Sequence, residues 1–155
     1  MYYLVESYHG PSDGQEFKQV LAENESFQTD FIGASEQDCR KWALEMQSQN
    51  NMVEQDIIAI ADKRSASDDT LSIQFYARPP GHEFPGLGIF PKEQDKWYDF
   101  RVIHTQADTV YTALIFLAFD IGFPVYFGRK DELTDERGIF NVAKAHELCT
   151  GGSRC

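Results

Sequence analysis

From Val110 to Ile121 the chain carries Val110, Leu114, Ile115, Phe116, Leu117, Phe119 and Ile121, with hardly a polar side chain to turn outward. A helix that is apolar on every side has to be buried. Asp108 supplies a cap at its start, and Gly122 and Pro124 follow as stop signals in the usual order. The pattern therefore predicts a central helix over about residues 108–121, around which the other elements pack. Its longest unbroken apolar run, Ala113 to Phe119, falls well short of the roughly 20 residues needed to cross a membrane.

At 155 residues the chain has the usual size of one domain, and folding should withdraw about 68–70% of its surface from water. Apolar residues make up 42% and aromatics 14%, which argues for a packed core over disorder. Tyr2–His9 alternates as a strand does, Gly10–Gly14 supplies a turn, and Phe17, Val20 and Leu21 suggest a short helix over 15–24. Phe27–Ile32 reads as a strand. Ser35 then precedes Glu36 and Asp38, a capped start for a helix over 36–48 with Cys39, Trp42, Ala43 and Met46 on one stripe. Val53–Ala61 and Leu71–Ala77 read as an antiparallel pair joined by the polar loop Asp62–Thr70.

Residues 79–91 hold four prolines and three glycines; regular structure is not expected there, but Phe84, Leu87, Ile89 and Phe90 predict an ordered loop packed on the body. Trp97–His104 reads as a strand before the central helix and Pro124–Gly128 as a short aromatic strand after it, a succession that predicts a right-handed βαβ crossover. A last helix over about 136–148 places Ile139, Phe140, Ala143 and Leu148 inward. The expected architecture is one α+β or mixed α/β domain over 1–155. It has a partly antiparallel sheet of about five or six strands covered by three or four helices.

Charge is divided unevenly along this chain. Residues 1–70 hold fourteen of the 25 acids and five of the 14 bases, so they carry nine of the eleven net negative charges, whereas the apolar C-terminal half is nearly balanced. A net charge of −11 disfavours direct binding to nucleic acid, whose affinity comes from Lys and Arg releasing counterions. Cys39, Cys149 and Cys155 fit no metal or redox spacing and predict no disulfide. The opening residues lack the basic leader and apolar run of a secretory signal, so a cytoplasmic location is expected.

No motif names a reaction. His146-Glu147 begins like a zinc-protease helix, but Thr150 stands where the second histidine belongs. His104-Thr105 lacks the spacing and the second copy of a two-histidine phosphoesterase, and Gly86-Leu-Gly88 lacks the third glycine of a dinucleotide loop. His82, Glu83, Asp99, His104 and Asp108 have side chains capable of acid–base work, with nothing in the sequence to gather them. Cys39, on an apolar stripe, reads as core. Asp120, placed by the pattern in the last turn of an apolar helix, is either exposed or paired with a base such as Arg101 or Arg129. Neither cofactor nor metal is expected.

These features predict a small acidic protein-binding factor that uses Glu16, Glu23, Glu25, Asp30, Glu36, Asp38 and Glu45 against a basic protein, such as a toxin or a nucleic-acid enzyme. It would act by occlusion, as an inhibitor, immunity protein or antitoxin does. The alternatives are an enzyme with an atypical hydrolase or transferase site near His82, Glu83 and His104, and a structural homodimer subunit.

Overall fold

The computed structural model describes residues 4–5, 20–46 and 56–151. Most of the Tyr2–His9 strand, the 10–14 turn, the start of the 15–24 helix, Glu16, the first residues of the Val53–Ala61 strand and Cys155 lie outside the described residues. Along the chain the elements run α1 (Glu36–Met46), β1 (Ile57–Ile60), α2 (Ser65–Asp68), β2 (Thr70–Ala77), β3 (His82–Phe84), β4 (Gly88–Phe90), β5 (Lys96–Ile103), a 3₁₀ turn (His104–Gln106), α3 (Ala107–Phe116), α4 (Phe119–Phe123), a π turn (Pro124–Gly128), α5 (Lys130–Leu133) and α6 (Val142–Gly151). Strands and helices are mixed in one α+β domain. The described strands form a sheet of three and a sheet of two, and a single sheet of five or six strands is not seen among the described residues.

β2 lies between β1 and β5 and pairs antiparallel with both, Ile57 facing Phe75 and Thr70 facing Ile103. Because side chains alternate across a strand, one face of this sheet carries Leu71, Ile73, Phe75, Tyr98, Phe100 and Val102. That face meets Phe123, Tyr126, Phe127 and Phe140 in the core. The opposite face carries Thr70, Ser72 and Gln74, all buried, with Arg40 of α1 reaching Gln74. The outer edge of β5 is bridged by residues 139–140, where the Phe140 N–H donates to the Arg101 carbonyl at 2.7 Å.

Several sequence expectations fail for identifiable reasons. Phe27–Ile32 is not a strand: the Thr29 hydroxyl accepts the Phe31 N–H, Ala34 N–H returns to the Phe31 carbonyl, and Gly33 takes φ +79°, so turn chemistry prevails. The Asp62–Thr70 connection is not all loop: it contains α2, and Asp62 and Ser65 close the turn leading into it, each side chain accepting the other's N–H. Residues 79–91 contain the β3–β4 hairpin. Gly86 and Gly88 turn it at positive φ, and Gly81 leaves no room for a Cβ, which would lie 2.6 Å from both Ile89 Cγ2 and the Pro91 carbonyl oxygen. The last helix starts at Val142, not near 136. Asn141 caps it by accepting the Lys144 N–H, and Asp135 accepts the N–H groups of Arg137 and Ile139 in the turn before.

The largest correction concerns residues 108–128. The central helix ends at Phe116, Leu117 and Ala118 leave the helical conformation with ψ 144° and 138°, and α4 starts at Phe119. Gly122 permits this break, because a Cβ there would meet Leu117 Cβ at 3.3 Å. α3 is buried only along Ala107, Val110 and Ala113, and Phe116 is 76% exposed. Pro124–Gly128 is helical, not a strand, so the crossover expected from it does not form. Phe119, Phe123 and Phe127 recur every four residues and their rings meet in sequence with centroids 4.7 and 4.6 Å apart, a helical period. Pro124 begins the π turn with φ −61°, the angle its ring imposes.

Tyr126 is fully buried against Phe140, and its hydroxyl finds no hydrogen-bond partner among the described residues. Burial, with a smaller contribution from Cys149, pushes the phenol up to about 12. Tyr126→Phe is therefore expected to raise the unfolding free energy by about 1 kcal/mol, since it removes an unsatisfied buried donor without opening a cavity. Urea unfolding of the two proteins measures the difference.

Candidate functional site

Two regions carry the polar and charged chemistry. In the first, β2 reads Thr-Leu-Ser-Ile-Gln-Phe, so every second side chain is polar and all three polar ones share a covered face. Gln74 Oε1 accepts from Arg40 Nε at 2.7 Å, and Gln74 Nε2 donates to Ser72 Oγ at 2.7 Å. Thr70 Oγ1 accepts from Arg101 Nη1 at 2.8 Å and donates to Asp68. Arg101, its side chain only 13% exposed, forms a two-pronged pair with Asp62. Arg64 bonds Asp68 at 2.7 Å and also the Arg137 carbonyl, which ties α2 to the turn before α6. An open depression lined by Asp62, Lys63, Arg64 and Ser67 borders this network.

Its electrostatics suit a fixed network and not proton transfer. The Arg101 guanidinium, aided by Ser65, holds the Asp62 carboxyl down at about 2 against the opposing effect of burial. Asp68 is also lowered, first by Thr70 and then by Arg64. Carboxylates ionised so far below neutrality are poor general bases. The sequence reading missed this network, although the strict polar–apolar alternation of residues 70–75 signalled a strand with a polar face.

The second region is the acidic segment 20–46. Glu23, Glu25, Asp30, Glu36, Asp38 and Glu45 are all exposed. Glu36 and Glu45 pair across single helix turns with Arg40 at 3.5 Å and Lys41 at 3.7 Å. Asp38 accepts the Ser35 N–H and hydroxyl while Ser35 accepts the Asp38 N–H, and these bonds with Ser35 lower the Asp38 carboxyl. Ile32 projects from the turn before α1, 80% exposed, and Val20 is 78% exposed. Beside Ile32, Phe31 packs edge-on against Trp42 at 5.0 Å.

The other candidate residues do not assemble. His82 packs on Phe119, His104 Nδ1 lies 3.0 Å from the Asp69 carbonyl, and Glu83 is exposed on the hairpin. No hydrogen bond or ion pair joins the three. Asp99 lies 3.9 Å from Lys130, and Asp108 is exposed in the first turn of α3. Among the described residues no cluster of three His, Cys, Asp or Glu could hold a metal ion. Cys39 and Cys149 are free thiols; burial raises both, with the Asp38 carboxylate adding to the effect at Cys39, so neither is an activated nucleophile. Asp120 is exposed in the first turn of α4, not buried at a helix C-terminus. No described helix is long and apolar enough to cross a membrane. Compared with protein-family models, curated proteins and solved structures, the chain matches none.

Proposed function

We propose that this chain is a protein-binding factor that engages a basic partner through its acidic N-terminal half and acts by occlusion, the mode of an inhibitor, immunity protein or antitoxin. The observation that carries this reading is the company the acids keep. Six exposed carboxylates occupy the same segment as Val20 and Ile32, the latter the most exposed large apolar side chain described. Apolar anchors inside a charged rim are the anatomy of a protein interface, and the sign of the rim selects a cationic partner and speeds its approach. Occlusion requires no catalytic group.

The test is charge reversal at Glu23, Glu36 and Glu45. Asp38 is spared because it caps α1, and the pairs of Glu36 with Arg40 and of Glu45 with Lys41 lie at the surface, where such pairs contribute little stability. Association with a lysine-rich probe protein, followed by stopped flow at rising salt, is expected to slow about tenfold at low salt and to lose much of its salt dependence. The melting temperature should stay nearly unchanged. Asp131, Glu132 and Glu136 serve as the control, with Arg129 already bonded to Glu132 at 2.8 Å; Asp135 is spared because it holds its turn. Equal slowing by the control set would mean that net charge alone acts, and the reading would fall.

A further inference from the structure

Helices α1, α3 and α6 are of similar length, 11, 10 and 10 residues, but they attach to the protein differently. α3 places Ala107, Val110 and Ala113 in the hydrophobic core, and α6 places Val142, Ala145 and Cys149 there. α1 places none: among the described residues, the buried members of that core all lie between Ile57 and Cys149. Of residues 36–45 only Ala43 is buried, and it stands outside the core. Where α1 meets the sheet, the strand below it presents Ser72 and Gln74. Among the described residues, two hydrogen bonds join 20–46 to 56–151; they come from Arg40 Nε and Nη2 and both end on Gln74 Oε1.

We infer that α1 is a detachable strap, latched by Arg40 on Gln74, which lifts from the sheet while the core between residues 57 and 149 stays folded. Local opening is favoured where few buried apolar contacts hold a segment down. Lifting strands no polar group. Gln74 Oε1 passes to water, Gln74 Nε2 keeps Ser72 Oγ at 2.7 Å, and Arg40 keeps Glu36 of its own helix. An isolated helix of this length is marginal in water, so α1 unwinds once it lifts and its amides are freed. Opening uncovers Ser72 and Gln74, together with Ile60 and Ile58 directly across from them in the register. The acids Glu36, Asp38 and Glu45 leave with the strap. Lifting is a property of the free protein and is independent of the proposed partner.

The experiment is hydrogen–deuterium exchange on the full-length ¹⁵N-labelled protein, at several urea concentrations below the unfolding transition. The amides of residues 40–45 are expected to exchange about a hundredfold or more faster than the slowest amides of β2, β5 and α6. Their rates should hardly change with urea, because lifting exposes little surface, whereas those of the core elements should rise steeply. Arg40→Met should speed exchange in α1 about tenfold. If a thermal melt shows that variant to be unfolded, Arg40→Lys, which keeps the charge and loses the fork, takes its place. One common rate and urea dependence for α1, α6, β2 and β5 would overturn the inference, by making α1 part of a single cooperative unit. Exchange in α6 as fast as in α1 would also overturn it, since surface helices in general would then be fraying, as would α1 exchange unchanged by the Arg40 variant.

Discussion

Replacing Phe100 by alanine is expected to lower the unfolding free energy by about 3–5 kcal/mol, a large part of the 5–15 kcal/mol typical of a domain. Phe100 is 2% exposed and central to the core. Its ring meets Phe140 at 4.7 Å, Phe127 at 5.5 Å and Tyr126 at 6.0 Å, joining β5 to the π turn and to the segment that bridges the edge of β5. With three rings held by neighbours of their own, the site cannot collapse on the space left behind. Phe116→Asp makes the contrast. The apolar pattern predicts that this change prevents folding, whereas an exposed side chain predicts a cost of only about 0.5 kcal/mol. Urea unfolding of both variants should show a large loss for Phe100→Ala and almost none for Phe116→Asp; the reverse order would mean that the core is misplaced.

Arg101→Ala should have the next largest effect, a loss of about 3 kcal/mol at neutral pH, because it strands the Asp62 carboxylate and removes a donor from the buried Thr70 hydroxyl. The Asp62 pKa is lower in the folded chain than its ordinary 3.8, at about 2. Its contribution is therefore complete above about pH 5 and is lost as pH falls through 4 towards 2, on the order of 1–2 kcal/mol for a carboxylate that is partly exposed. The variant should lack that acid-dependent component, so the two stability–pH curves should converge between pH 5 and 2. Parallel curves would show that Arg101 does not hold Asp62 in the ionised form.

Local signals in the sequence were strong where one residue type dictates one geometry. Ser35 and Asp38 cap α1, and the apolar members of β2 and β5 face the core by simple alternation. What stayed hidden depended on contacts distant in sequence, or on two signals in conflict. The run 110–121 has no breaker at Leu117 or Ala118; the break becomes possible through Gly122, five residues beyond Leu117. At 124–128 the aromatic content resembles a strand, while the four-residue spacing of Phe119, Phe123 and Phe127 specifies a helix, and Pro124 favours the second. Arg101 and Asp62 are 39 residues apart, so their pairing follows from strand register and not from any local pattern. The acids of residues 20–46 were legible as a charge excess. Ile32 is exposed in the same segment because a turn replaces the expected strand at 27–32.

We propose that a cationic partner is received on the acidic segment. This is tested most directly by mapping amide shifts of the ¹⁵N-labelled protein as the lysine-rich probe protein is added at low salt. The largest shifts are expected within residues 20–46, around Glu23, Ile32, Glu36 and Glu45, and Ile32→Ser is expected to weaken the complex by about tenfold without altering the melting temperature. Shifts spread evenly over exposed carboxylates, with Asp131, Glu132 and Glu136 moving as much as Glu36 and with Ile32→Ser binding as tightly as the native chain, would contradict it.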